Sequence, residues 1–177
     1  KNINNIDAKR YPLLQLEWLT SDKINATAPQ LNYWRITYAK PPEAVINPSL
    51  HFTKSSDTIL FGKNFQTSIA FQNITPIDMD SVLVKFTIIN AANFAQTFYQ
   101  RFAKLPGNQH IIINFDHKFD NLINTGLNKI IIEANPDNDQ IEQFHFNNFA
   151  EFFVYVVGDN INPLLDITFD GKHITDG

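Results

Sequence analysis

The sequence contains no cysteine. That excludes disulfides, a thiolate nucleophile and Cys-ligated zinc, and it leaves the compartment unreadable from cysteine usage. Glycine is scarce as well, with six residues in 177. No GxGxxG, P-loop or GxSxG pattern occurs, so phosphate cradles and the esterase-type nucleophile elbow have no support. Basic charge is thin: 14 Lys and Arg stand against 18 Asp and Glu, a net charge of -4. No Lys/Arg cluster forms a footprint for nucleic acid or an anionic membrane, and neither partner is expected. No apolar run approaches the ~20 residues that span a bilayer, and no basic n-region with an apolar h-region opens the chain. The chain begins at Lys1 and ends on a strand-like stretch, so it reads as an excerpt from a longer protein.

What is abundant is Asn, Ile and Phe, the last at 16 residues. Ile and Phe favour strands, and Asn favours turns. Period-2 apolar runs separated by Asn/Asp/Gly/Pro clusters predict an all-β protein with no helix of note. The first two runs, Tyr11 to Leu19 and Gln30 to Tyr38, flank a polar stretch that reads as a loop. They predict an N-terminal β-hairpin. Ala39 to Pro48 holds three prolines, which cannot donate to a ladder, so it reads as an extended linker and a domain boundary. Beyond it come strand candidates at Leu50 to Thr53, Thr58 to Phe61, Asn64 to Asn73, Ser81 to Asn90, Gln96 to Phe102, Gln109 to Phe115, Leu127 to Ala134 and Phe149 to Val157. Seven to eight short strands in this length fit an immunoglobulin-like β-sandwich. Phe65, Thr67, Ile69 and Phe71 are expected to face inward from one strand, Val82, Val84, Phe86 and Ile88 from the next, and Phe149, Phe153 and Tyr155 from the last. Leu164 to Phe169 reads as a further strand.

Residues with chemistry are dispersed. His51, His110, His117, His145 and His173 lie on different predicted strands and loops, with no HExxH or paired spacing. Neither a cofactor nor a catalytic group is expected. The carboxylate pairs Asp78/Asp80 and Asp116/Asp120 fall in predicted turns, where Asp side chains bond to nearby amides. The most oxygen-rich segment is Asn135 to Asn148, NPDNDQIEQFHFNN. Asp137, Asp139 and Glu142, together with Asn138, are candidate Ca²⁺ ligands, although the EF-hand spacing is missing. The competing reading is a long connection in which Glu142, Asn147 and Asn148 pin the loop to the flanking strands. Trp18, Tyr33, Trp34 and Tyr38 are aromatic enough to stack on a sugar, but at period-2 positions they equally form core or interdomain contacts.

The stretches YPLLQLEWL, QLNYWRITYAKPPEAVINP, DMDSVLVKFTI, GLNKIIIEANPDNDQIEQFHFNN and DNINPLLDITFDGKHITDG resemble a run in very large surface or secreted proteins of Bacteroidetes. Those proteins carry a gingipain-type cysteine peptidase domain and are similar to the sortase component of the type IX secretion system. The strongest motifs are PDNDQ-x-E-x(4)-NN and NPLLDITFDG. The resemblance implies that Lys1 to Tyr38 ends a jelly-roll module, that Pro42 to Val157 is a CARDB-type immunoglobulin-like module, and that Asn162 to Gly177 opens a further one. In domain terms this gives 1–40 as terminal strands of a preceding module, 41–158 as the sandwich, and 159–177 as a linker and first strand. The family's peptidase needs a Cys/His dyad, so its activity carries over to no residue here.

The resemblance also implies a place at the cell exterior, the outer-membrane surface or the periplasm-facing envelope of a Gram-negative bacterium. The partners it implies are neighbouring domains of the parent chain or other secretion-system proteins. Asp57-Thr58-Ile59 and Asp80-Ser81-Val82 fit the short pattern that such bacteria O-glycosylate, on Thr58 and Ser81. The expected function is a non-catalytic structural or interaction module. The alternative is a carbohydrate- or Ca²⁺-dependent adhesion module.

Overall fold

The computed structural model describes residues 3, 5–7, 10–11, 13–27, 30–158, 168–169 and 172–173. The chain divides into two compact units, Lys1–Ala39 and Lys40–Gly177. The second unit is an immunoglobulin-like β-sandwich built from β1 (Ala44–Ile46), β2 (Phe52–Lys54), β3 (Thr58–Leu60), β4 (Asn64–Asn73), β5 (Met79–Ile89), β6 (Ala95–Leu105), β7 (His110–Lys118), β8 (Gly126–Ala134) and β9 (Phe149–Val157). In one sheet β7 lines one side of β4, and β1 and β2 follow each other along the other side. The second sheet runs β3-β9-β8-β5-β6. Its β3 pairs with β9 in parallel, while the other sandwich ladders are antiparallel. Two short strands, β10 (Thr168–Phe169) and β11 (Lys172–His173), pair with each other. Residues 164–167 of the expected strand at Leu164 to Phe169 lie outside the described residues.

The core follows from alternation on the two long central strands. Phe65, Thr67, Ile69 and Phe71 are buried on β4, as are Val82, Val84, Phe86 and Ile88 on β5. Each such apolar side chain contributes roughly 1.5–3 kcal/mol on burial. Between the sheets Phe86 stacks on Phe115 at 5.1 Å, and Phe115 lies against Phe65 at 6.5 Å. Asparagine abundance also finds its place: Asn93, Asn108, Asn135 and Asn138 occupy turn positions with positive φ, a region that Asn tolerates better than most side chains. Gly107 is required for a different reason. A Cβ there would lie 2.4 Å from the Pro76 carbonyl carbon, and the Gly107 amide donates to Asp78 Oδ1 at 2.8 Å.

Three sequence expectations need correction. Within the Pro-rich stretch read as a linker, Ala44–Ile46 is a strand, paired with Phe71–Asn73 of β4. The prolines at 42 and 48 only bracket it, and a three-residue edge strand needs little more than its own amides. The N-terminal hairpin does not form, because residues 13–19 and 30–38 contain no strand. A two-stranded ladder alone is marginal in water, and here Leu13, Leu19, Tyr33 and Tyr38 stay largely exposed. What does form in this unit is the loop. The Asp22 carboxylate accepts from Ile24 N and Asn25 N at 2.9 Å each and from Thr27 Oγ1 at 2.5 Å, and these bonds, Thr27's hydroxyl foremost, hold it well below the usual carboxylate range.

The third correction concerns β9, whose inward face is the opposite one. Ala150, Val154 and Val156 are buried, whereas Phe149, Phe153 and Tyr155 are 46%, 46% and 49% exposed. The alternation Ala150, Phe152, Val154 and Val156 is wholly apolar, whereas the one that carries the three rings also carries Glu151, a charge that belongs outside. The register agrees: Ala150 pairs with Ile132 and Phe152 with Ile130, and a one-residue slip would drive three rings into a layer already filled by Phe65, Phe71 and Phe86. Accordingly Phe153→Ala should shift stability by less than about 1 kcal/mol, while Val154→Ala should cost about 1.5 kcal/mol or more. Urea unfolding of the two variants checks the order, and the reverse order would restore the original face.

Candidate functional site

The oxygen-rich loop after β8 is built around two buried carboxylates from distant parts of the chain. Glu142, 8% exposed, accepts from Ala44 N through Oε2 at 2.9 Å, and through Oε1 from Asn135 Nδ2 at 2.5 Å and Asn148 Nδ2 at 2.9 Å. Glu43, 9% exposed, accepts from Gln143 N at 2.9 Å, Phe144 N at 3.1 Å and Asn147 Nδ2 at 3.1 Å. Together they clamp residues 135–148 onto β1. Burial pushes the Glu142 carboxyl up and the nearby charge of Glu43 adds to this, while the bonds from Asn135, Ala44 and Asn148 pull it back. Every carboxylate oxygen faces N–H donors, which is the surrounding of an anionic acceptor rather than of a cation ligand. The pinning roles of Glu142, Asn147 and Asn148 were legible in the sequence. Glu43 was missed because it lies in the stretch read as linker.

The three Ca²⁺ candidates do not converge. Glu142 turns inward, Asp139 pairs with Arg101 of β6 at 3.1 Å, and Asp137 stays exposed. Among the described residues no group of three or more His, Cys, Asp and Glu side chains could hold a metal ion. The other carboxylates do structural work too. Asp78 pairs with Lys104 at 2.6 Å, Asp80 accepts from Ser81 N at 2.8 Å, and Asp120 pairs with Lys118 at 3.2 Å. Asp116 lies on β7 rather than in a turn and accepts from Asn64 and Gln66 at 2.7 Å each. Of the two tripeptide hydroxyls, Thr58 is exposed on β3, whereas Ser81 is half-buried and its Oγ accepts from Arg101 at 3.0 Å. In the first unit Trp18, Trp34, Tyr33 and Tyr38 are all exposed, and Trp34 helps to line a groove with Ile3, Ile6, Leu14, Leu16 and Ile36.

Among the described residues the histidines form no cluster. His51 Nε2 lies 2.8 Å from Ser68 Oγ, and His145 Nε2 lies 2.7 Å from the Asn135 carbonyl. His117 sits among Phe98, Phe115 and Phe119, with ring centroids 5.3, 6.0 and 4.8 Å away. Burial pushes its pKa below the ordinary 6.5, with Asp120 and Asp116 acting the other way. The neutral ring is thus favoured by folding, so its contribution is present above about pH 6.5 and is lost as pH falls through the lowered folded value. Between about pH 7.5 and pH 5 the melting temperature should fall, and His117→Leu should flatten that fall. Equal slopes for the two proteins would remove His117 from the account.

Two surfaces remain. The outward face of the second sheet carries Phe153 and Tyr155 of β9, Leu127 of β8 and Leu60 of β3, all at least 46% exposed. Leu127 pairs with Tyr155, and Lys129 lies 5.7 Å from the Phe153 ring centroid while pairing with Glu151 at 3.0 Å. The other surface is a groove of about 630 Å³ at the mouth between the sheets, lined by Val45, Ile46, Pro48, Phe52, Phe149 and Phe152 among others.

No family model and no curated protein matches the chain. Solved structures do. A crystal structure of a CARDB domain from Pyrococcus furiosus, described as in complex with di-metal ions, shares 18% identity at a TM-score of 0.52 and covers 70% of this chain and 100% of that one. A solution structure of the same domain gives 18% identity, a TM-score of 0.51, and coverage of 67% and 98%. The fold of the second unit is therefore that of CARDB domains.

Proposed function

We propose that the chain is a non-catalytic structural and interaction module, a CARDB-type sandwich within a large secreted or surface-anchored protein of a Gram-negative bacterium. The observation that carries the interaction reading is the outward face of the second sheet. Its aromatic and aliphatic side chains sit beside internally neutralised ion pairs, Lys129–Glu151 and Lys85–Glu133. Such a face offers apolar area to bury, and covering its paired charges costs less than covering unpaired ones would. We take its partner to be a neighbouring module of the parent chain. A gingipain-type peptidase parent of the type IX secretion system is supported by the sequence resemblance, which also supports placement at the cell exterior or outer-membrane surface.

The test is calorimetric titration of the chain with its flanking parent modules, expressed separately. Phe153→Ser with Tyr155→Ser should weaken binding by about tenfold or more, as for central aromatic anchors, and leave the fold intact. Undiminished binding by that variant would overturn the reading. Binding on a glycan array that depends on Ca²⁺ and vanishes in Asp137→Asn/Asp139→Asn would favour the adhesion alternative.

A further inference from the structure

The edge of β9 is covered only in part. β3 pairs with Tyr155–Val157, and two residues before β9 begins Ile46 N of β1 donates to the Asn147 carbonyl at 3.0 Å. Between these anchors no described strand pairs with residues 149–154 on that side. The Tyr155 amide bonds outward to the Asp57 carbonyl at 2.8 Å. By the two-residue alternation of a strand, the backbone groups of Phe149, Glu151 and Phe153 point the same way. One of them is already engaged by a side chain. Lys54 Nζ donates to the Phe153 carbonyl at 2.7 Å and also to the Asp57 carboxylate. A lysine on an open edge guards it against indiscriminate pairing, so an added strand has to carry a group that matches it.

The apolar groove described above runs beside this gap, so an added strand would find side-chain pockets as well as backbone partners. We propose that the gap between β1 and β3 receives a short extended segment of a partner polypeptide, added parallel to β9, with aliphatic side chains in the groove and an acidic residue facing Lys54.

The direction follows from continuity. The segment takes up the line of β3, whose ladder with β9 is parallel, and so extends an existing pairing rather than starting a new one. The side chains follow from Val45, Ile46, Phe52 and Phe152, which line the groove, and alternate residues of the segment meet them. The acid follows from charge. Lys54 stands where β3 begins, at the C-terminal end of a parallel segment; its present carboxylate partner, the Asp57 side chain, is 88% exposed, and such surface pairs are weak, so a carboxylate on the segment can take Asp57's place. The inference rests on the interaction reading above and names a second surface for it.

The test uses the full 177-residue chain and three synthetic peptides: acetyl-Thr-Val-Thr-Val-Asp amide, the same peptide ending in Lys, and the Asp peptide with its central Thr replaced by Pro. Backbone ¹H–¹⁵N shifts are followed up to about 1 mM peptide, a range suited to weak complexes. The Asp peptide should shift the amides of Phe149, Glu151 and Phe153 and bind several-fold tighter than the Lys peptide. The Pro peptide, which lacks a central donor, should fail. Lys54→Met keeps the aliphatic stem and should erase the Asp-over-Lys preference. Shifts confined to β6 or β7, no shift at all, or a preference that persists in Lys54→Met would overturn the proposal. If the peptides fail while the Phe153/Tyr155 variant still loses its partner, the groove is wrong and the interaction module stands.

Discussion

Glu142→Ala should cost about 3–5 kcal/mol in urea unfolding. The substitution leaves the Ala44 amide and the Asn148 side-chain amide without an acceptor, and both residues are fully buried. Each orphaned donor costs about 1–3 kcal/mol. Asn135 Nδ2 suffers less, because it also reaches the Gln140 carbonyl at 2.6 Å. Glu142→Gln should cost less than Ala, since its remaining oxygen still serves the two asparagines. The pH dependence has a defined sign. The folded-state pKa is raised by burial, so the contribution of Glu142 is complete below its ordinary value of 4.5 and declines as pH rises through the raised value. The Gln variant should lack that decline. A loss under about 1 kcal/mol for Glu142→Ala would mean that the loop is held by other contacts.

The legibility of this clamp differed between its two halves. PDNDQIEQFHFNN shows its polar side chains in one run, so a pinning role for Glu142, Asn147 and Asn148 could be read from composition and turn chemistry. Glu43 lies about 100 residues earlier in the chain, |i−j| = 100 to Gln143, beside two prolines, and nothing local marks it. Strands β4 and β5 were legible because their two alternations differ in polarity. β9 was misread because three rings outweighed Glu151, the one charge in their alternation, and pairing with β8 fixes the face. β1 was hidden by its flanking prolines, which describe the ends of a strand as readily as a linker. The free edge beside it could not be read at all, since it depends on where β3 begins to pair with β9.

Phe71→Ala and Phe86→Ala should each cost about 3–5 kcal/mol, the range for truncating a buried aromatic side chain. They test the two halves of the core separately. Phe71 is fully buried in the first sheet, between Ile46 of β1 and Ile111 of β7 across the ladder. Its loss removes the side chain between β1 and β7, so it should also loosen β1 and with it the Glu43 end of the clamp. Phe86 projects from the second sheet onto Phe115, and its loss opens a void between the sheets that neighbouring strands cannot close without breaking register. The two positions lie in different sheets, yet Phe71→Ala shares β1 with Glu142→Ala, whose acceptor serves the Ala44 amide. Combining those two should therefore cost less than the sum of the single losses, while Phe86→Ala with Glu142→Ala should be close to additive. Urea unfolding of the singles and both doubles measures this. Additivity in both pairs would show that β1 keeps its place on β4 without Phe71, and losses under about 1 kcal/mol at both phenylalanines would mean that the inward faces of β4 and β5 are wrongly assigned.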